Sequence, residues 1–79
     1  MGEKLTFRYD KVGDIMYVER CSPYAEQESD EIGDEIVARF NPQTGEVESL
    51  EILSWSSRLE AGENVSLPIE AHLRLAVEA

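Results

Sequence analysis

Apolar and polar residues alternate along several short stretches of the chain, and this period of two predicts β-strands. In the first stretch, Leu5, Phe7 and Tyr9 alternate with Thr6 and Arg8. Successive side chains of a strand point to opposite faces, so the pattern is typical of a strand with one buried face. The predicted strands cover residues 4–9, 15–20, 35–40 and 46–53. Residues 15–20 are predicted from their β-forming residues, since apolar side chains occur on both faces of that strand.

Turn-forming residues join these strands into two hairpins. Residues 10–14 begin with Asp10, whose carboxylate can accept backbone hydrogen bonds in an Asx turn, and include Gly13, which tolerates positive φ. Residues 41–45 form the second turn, which Gly45 closes.

An acidic stretch with little apolar content, residues 23–33, separates the two hairpins. We interpret it as a mobile loop whose exposed charges discourage pairing between sheet edges. Its spacing does not match the calcium-loop pattern, so the sequence predicts weak attraction of cations and no dedicated metal site. The acidic residues in or beside this stretch are Glu26, Glu28, Asp30, Glu31, Asp34 and Glu35.

The C-terminal third of the chain allows two interpretations. Residues 54–60 are compatible with a short helical turn that has a serine cap and ends at Gly62. Residues 65–77 alternate strictly and predict a long fifth strand. The alternative is a helix that begins near Pro68, although such a helix would be apolar on two sides. The apolar positions of this segment are Val65, Leu67, Ile69, Ala71, Leu73, Leu75 and Val77.

These elements predict a mainly β fold, a small antiparallel sheet of two β-hairpins plus a C-terminal strand, in a single domain over residues 1–79. The alternative fold is α+β with a C-terminal helix. A chain of 79 residues buries a modest share of its surface, so its stability margin should be thin. The apolar face of the sheet needs a second layer. We therefore expect a homodimer that associates through apolar sheet surface.

The charge of the chain limits its partners. Seventeen acidic residues against seven basic ones give a net charge of −10. This field repels phosphate backbones and anionic lipid, so we expect no direct binding of nucleic acid or membranes and favour a basic protein partner. No leader sequence and no apolar run of about 20 residues is present, which predicts a cytoplasmic protein.

Candidate catalytic groups are few. Cys21 and His72 are the only cysteine and histidine, and nothing in the sequence brings them together as a nucleophile and its base. A lone histidine does not make a typical zinc site. Asp10 and Asp14 could form a carboxylate pair, but their positions in a turn explain them without chemistry. We therefore assign no catalytic, cofactor-binding or metal-binding residue and expect no cofactor.

Each hairpin carries a group of residues with a recognisable pattern. The first group is Tyr9 and Asp10, then Asp14, then Tyr17 and Val18. The second group is Gly45, Glu46, Val47, Leu50, Glu51, Ile52, Leu53, Ser57, Arg58 and Leu59. Together they resemble the bacterial family called domain of unknown function 2283, over residues 5–59. The resemblance implies a short, β-rich protein without an assigned activity, and some members of the family are encoded beside small toxin-like proteins.

Two hypotheses about function follow. The first is an acidic protein-interaction domain, the partner or antitoxin of a basic toxin-like protein. The second is a small enzyme or ligand-binding protein with a site at a dimer interface. The first needs only acidity and an exposed edge or apolar patch, whereas the second needs polar groups that converge in a pocket. We favour the first and expect no enzymatic activity.

Overall fold

The computed structural model describes residues 4–62 and 64–76, which form five strands followed by one helix. The four strands predicted from the sequence are present, with slightly different ends, and the short helix is present as well. The elements are β1 (Thr6–Asp10), β2 (Ile15–Glu19), β3 (Glu28–Gly33), β4 (Ile36–Phe40), β5 (Val47–Ile52) and α1 (Trp55–Ala61).

The strands form one antiparallel sheet in the order β1-β2-β5-β4-β3. The predicted mainly β, antiparallel fold is therefore confirmed. β1 and β2 form one hairpin, and β4 and β5 form the other, as the turn residues indicate. The two hairpins meet where β2 pairs with β5, which places β5 at the centre of the sheet.

The fifth strand lies in a different place from the one predicted. Residues 28–33 form β3, so the interpretation of residues 23–33 as a mobile loop is wrong for residues 28–33. β3 pairs with β4 through a tight connection in which Glu35 adopts a φ of 59°. An edge strand that buries few side chains needs no apolar alternation, because backbone pairing holds it and its charges stay in water. Residues 28–31 are all exposed.

The C-terminal segment, residues 64–76, forms neither strand nor helix. The prediction of a strand over residues 65–77 is therefore wrong for the described residues, and so is the helical alternative; Val77 lies outside them. Pro68 has no N–H for a ladder, and the Ile69 N–H donates to the Leu67 carbonyl at 2.8 Å, which bends the chain into a γ-turn. A Cβ added to Gly33 would lie 3.7 Å from Pro68 Cγ, so the segment crosses the sheet rather than extending it.

The register gives the sheet one apolar and one polar face. Two rows of paired residues form the apolar face: Phe7, Val18, Leu50 and Ala38 in one row, and Tyr9, Met16, Ile52 and Ile36 in the other. Arg8 and Glu19 form an ion pair on the opposite face, as do Arg39 and Glu51, and the Arg8 guanidinium lies over the Tyr17 ring. Among the described residues, the buried hydrophobic side chains are Ile36, Ala38, Leu50 and Ile52.

Candidate interaction surfaces

Asp14, in the turn between β1 and β2, caps the start of α1, although it is far from the helix in sequence. Its Oδ2 accepts a hydrogen bond from Ser56 Oγ at 2.7 Å, and its Oδ1 accepts one from the Ser56 N–H at 3.1 Å. The Tyr9 hydroxyl also donates to Asp14 Oδ1, at 2.6 Å. The bonds from Tyr9 and Ser56 hold the pKa of Asp14 below its usual range, and the carboxylate raises the pKa of Tyr9. This cluster ties β1, β2 and α1 together.

The helix cap expected from serine is absent. Ser54 precedes α1 in the left-handed region, with φ of 53°, and its side chain makes no cap hydrogen bond. Its hydroxyl donates instead to Glu35 Oε2 at 3.1 Å. Gly62 follows the helix as expected, in an extended conformation. The Arg58 guanidinium donates to the carbonyls of Leu53 and Asp34, so side chains join α1 to the β3–β4 connection as well.

Glu48 organises the opposite end of the sheet. It is the extra residue of a β-bulge in β5, because Arg39 and Phe40 pair with Ser49 and Val47. Its carboxylate accepts hydrogen bonds from the side chains of Tyr24, Gln27 and Asn41. Tyr24 contributes most to lowering the pKa of Glu48, and Glu48 raises the pKa of Tyr24 to about 12. These contacts fix the chain that leads into β3.

The acidic edge, residues 28–31 of β3, is the first candidate surface. β3 is the last strand of the sheet and pairs with β4 alone. One row of its backbone N–H and C=O groups therefore has no strand partner in the described part of the chain. The bulge at Ile32 follows these residues and leaves their pairing with β4 regular. The chain has no lysine or arginine from residue 21 to residue 38, and Arg39, which lies opposite Ser29 on β4, forms its ion pair with Glu51.

The C-terminal groove, the cleft between the apolar face and residues 65–76, is the second candidate surface. Val18, Val47 and Leu50 line it on the sheet side, and the apolar side chains of the segment line it on the other. Its volume is about 1950 Å³. The outer part of the segment is highly exposed, with Leu73 at 82% and Leu75 at 89% of full exposure.

The candidate catalytic residues lie in different surroundings. Asp10 Oδ1 accepts the Val12 and Gly13 N–H groups at 3.0 and 3.2 Å, the Asx turn that was predicted. His72 is exposed and lines the C-terminal groove, which Cys21, half-buried, does not. Within residues 4–62 and 64–76, no three His, Cys, Asp or Glu side chains lie close enough together to hold a metal ion. No helix of the described ranges is long and apolar enough to cross a membrane.

The partners of Asp14 and Glu48 are not predictable from the sequence. Ser56 is far from Asp14 in sequence, and Tyr24 is far from Glu48, so neither contact has a local pattern. The only signal was the Tyr9 and Asp14 pair within the family resemblance. The structure gives that pair a role in stabilising the start of α1.

The fold and these contacts define a small one-sheet β protein with an acidic edge and an incompletely covered apolar face. A family model described as protein of unknown function (DUF2283) matches residues 6–56, and the chain belongs to this family. The resemblance seen in the sequence is thus confirmed. The match ends within α1, so the C-terminal segment lies beyond it. A search of the curated proteins and a search of the solved structures each found no match.

Proposed function

We propose that this chain is a protein-interaction domain that binds a basic partner protein along the acidic edge of β3. The observation that carries the proposal is an accessible edge strand whose residues 28–31 are all exposed and mostly acidic. Such an edge can accept an additional strand, since its outer backbone groups supply the hydrogen bonds of a new ladder.

The charge of the edge selects the partner. Lysine and arginine side chains on an added strand would lie beside Glu28, Asp30 and Glu31, and this complementarity speeds association. Two copies of β3 would place like charges opposite each other, which disfavours self-pairing through this edge. A small basic toxin-like protein has the required chemistry, and the chain would then act as its antitoxin.

The test uses a synthetic peptide of alternating lysine and valine, with a glutamate–valine peptide as its counterpart. We expect the basic peptide to bind and to protect β3 amides from hydrogen exchange, because they become hydrogen bonded in the new ladder. The double substitution Asp30→Asn/Glu31→Gln should weaken binding at least tenfold. The matched control, Glu46→Gln/Glu60→Gln, removes the same charge from exposed positions away from β3 and should weaken it much less.

If the basic peptide is attracted to the negative charge of the whole chain and not to the edge of β3, the result is different. Both double variants would then weaken binding equally, and no β3 amide would gain protection. Either outcome, or equal binding of the glutamate–valine peptide, would overturn the proposal.

A further inference from the structure

Within residues 4–62 and 64–76, the apolar face of the sheet has no complete second layer. An amphipathic sheet must bury its apolar face against another element. No residue of α1 is buried, and in the C-terminal segment Val65, Leu67 and Ile69 reach only intermediate burial. On the same face, Phe7 in β1 remains 64% exposed. The chain as described therefore covers only part of this face.

The C-terminal groove has the dimensions of a site for polypeptide. Pockets for small molecules usually enclose about 300–1,000 Å³. The groove, at about 1950 Å³, is well above that range. Its walls are mainly aliphatic, and residues 71–76 form its outer wall, with Leu73 and Leu75 largely exposed to solvent.

The charges around the groove indicate a second copy of this chain as the occupant. The chain carries −10 overall, yet the described residues that line the groove include equal numbers of basic and acidic side chains, so two copies can meet there without strong repulsion. Among these residues a basic partner would find no acidic excess, in contrast to the edge of β3. The charged residues that line the groove are Lys4, Arg20 and Arg74, which are basic, and Glu46, Glu48 and Glu70, which are acidic.

We propose a twofold-symmetric dimer in which residues 71–76 of each copy lie in the C-terminal groove of the other. Leu73 and Leu75 then pack against Leu5, which lines the groove, and against Phe7, which pairs with the groove residue Val18 on the apolar face. Both Leu5 and Phe7 are exposed in the single chain. In an isologous contact each copy gives its segment and receives its partner's, so both sets of apolar side chains are covered at once. This surface is distinct from the acidic edge of β3, which remains open in the dimer.

Sedimentation velocity over a concentration series provides the first test. We expect the wild-type chain to sediment at twice its mass of 8.9 kDa. The substitution Leu73→Ser/Leu75→Ser should raise the dissociation constant at least tenfold. Both leucines are exposed in the single chain, so the variant should keep its fold, which circular dichroism would verify. The matched control Val12→Ser removes an apolar side chain that is 99% exposed and outside the groove, and it should leave the dimer intact.

Isotope-filtered NMR on a mixed labelled and unlabelled sample provides the second test. We expect intermolecular contacts between the methyl groups of Leu73 or Leu75 and the ring of Phe7. A monomer at millimolar concentration, or a dimer that the double serine variant leaves unchanged, would overturn the proposal. The monomeric variant should still bind the lysine–valine peptide, so failure of the dimer and failure of the β3 edge are distinguishable.

Discussion

Asp10 and Asp14, two aspartates of the same turn, have different roles that follow from the backbone. Asp10 bonds the N–H groups of its own turn, which local sequence predicts. Asp14 adopts a φ of 56°, and its carboxylate bonds Ser56, 42 residues away. The left-handed conformation is uncommon for a residue other than glycine, and aspartate tolerates it better than most. Asp14 therefore combines the left-handed backbone conformation with a side-chain contact to Ser56.

Acid should weaken the fold partly through Asp14. Its pKa is lowered by Tyr9 and Ser56, so its stabilising contribution is present above its unfolded pKa of about 3.9 and is lost as the pH falls through the folded value. We expect Asp14→Asn to reduce the loss of stability between about pH 5 and pH 3, because asparagine does not titrate there. Urea unfolding at both pH values measures the effect.

Asp30→Asn is the matched control for this prediction. Asp30 lies on the exposed edge of β3, and no side-chain hydrogen bond to it is observed among the described residues. If both asparagine variants change the acid response equally, general charge repulsion governs acid unfolding, and the role given to Asp14 is wrong.

Alternation correctly located β1 and β4, which place apolar side chains on one face of the sheet, and failed for β3 and the C-terminal segment. β4 and β5 contain the buried Ile36, Leu50 and Ile52, so their pattern reflects burial directly. β3 buries little and carries no such pattern. The C-terminal segment alternates strongly yet makes no ladder, since alternation reports which side chains prefer burial and not which backbone groups pair. The two candidate surfaces lie at β3 and at this segment, the two places where the structure differs from the sequence-based prediction.

The central strand should be the most sensitive to truncation. Ile52 is 1% exposed and pairs with both Met16 and Ile36 on the apolar face. We expect Ile52→Ala to lower the free energy of unfolding by about 2–5 kcal/mol, through lost burial and the cavity that remains. Val12→Ala, at a position that is 99% exposed, should change it by less than about 0.5 kcal/mol. Equal effects in chemical denaturation would place the core elsewhere.

For the whole molecule, the small set of buried side chains links stability to assembly. Chains of this length bury only about 60% of the surface that their unfolded state exposes. Here the described part of the chain buries four hydrophobic residues and leaves several large ones in solvent. The small core expected from the chain length also predicts self-association through apolar sheet surface. The sequence does not show that the C-terminal segment takes part in the contact, because its alternation predicts a strand within the sheet.

Thermal unfolding should therefore depend on protein concentration. If the dimer forms as proposed, association stabilises the folded state by mass action, by up to about 1.4 kcal/mol per dimer for each tenfold increase in concentration. We expect the wild-type Tm to rise over a hundredfold concentration range. Leu73→Ser/Leu75→Ser should show a lower Tm that does not change with concentration, because its leucines are already exposed in the single chain and only the dimer contact is lost. Val12→Ser should follow the wild type. A wild-type Tm independent of concentration over this range would show that the fold is stable without a second layer.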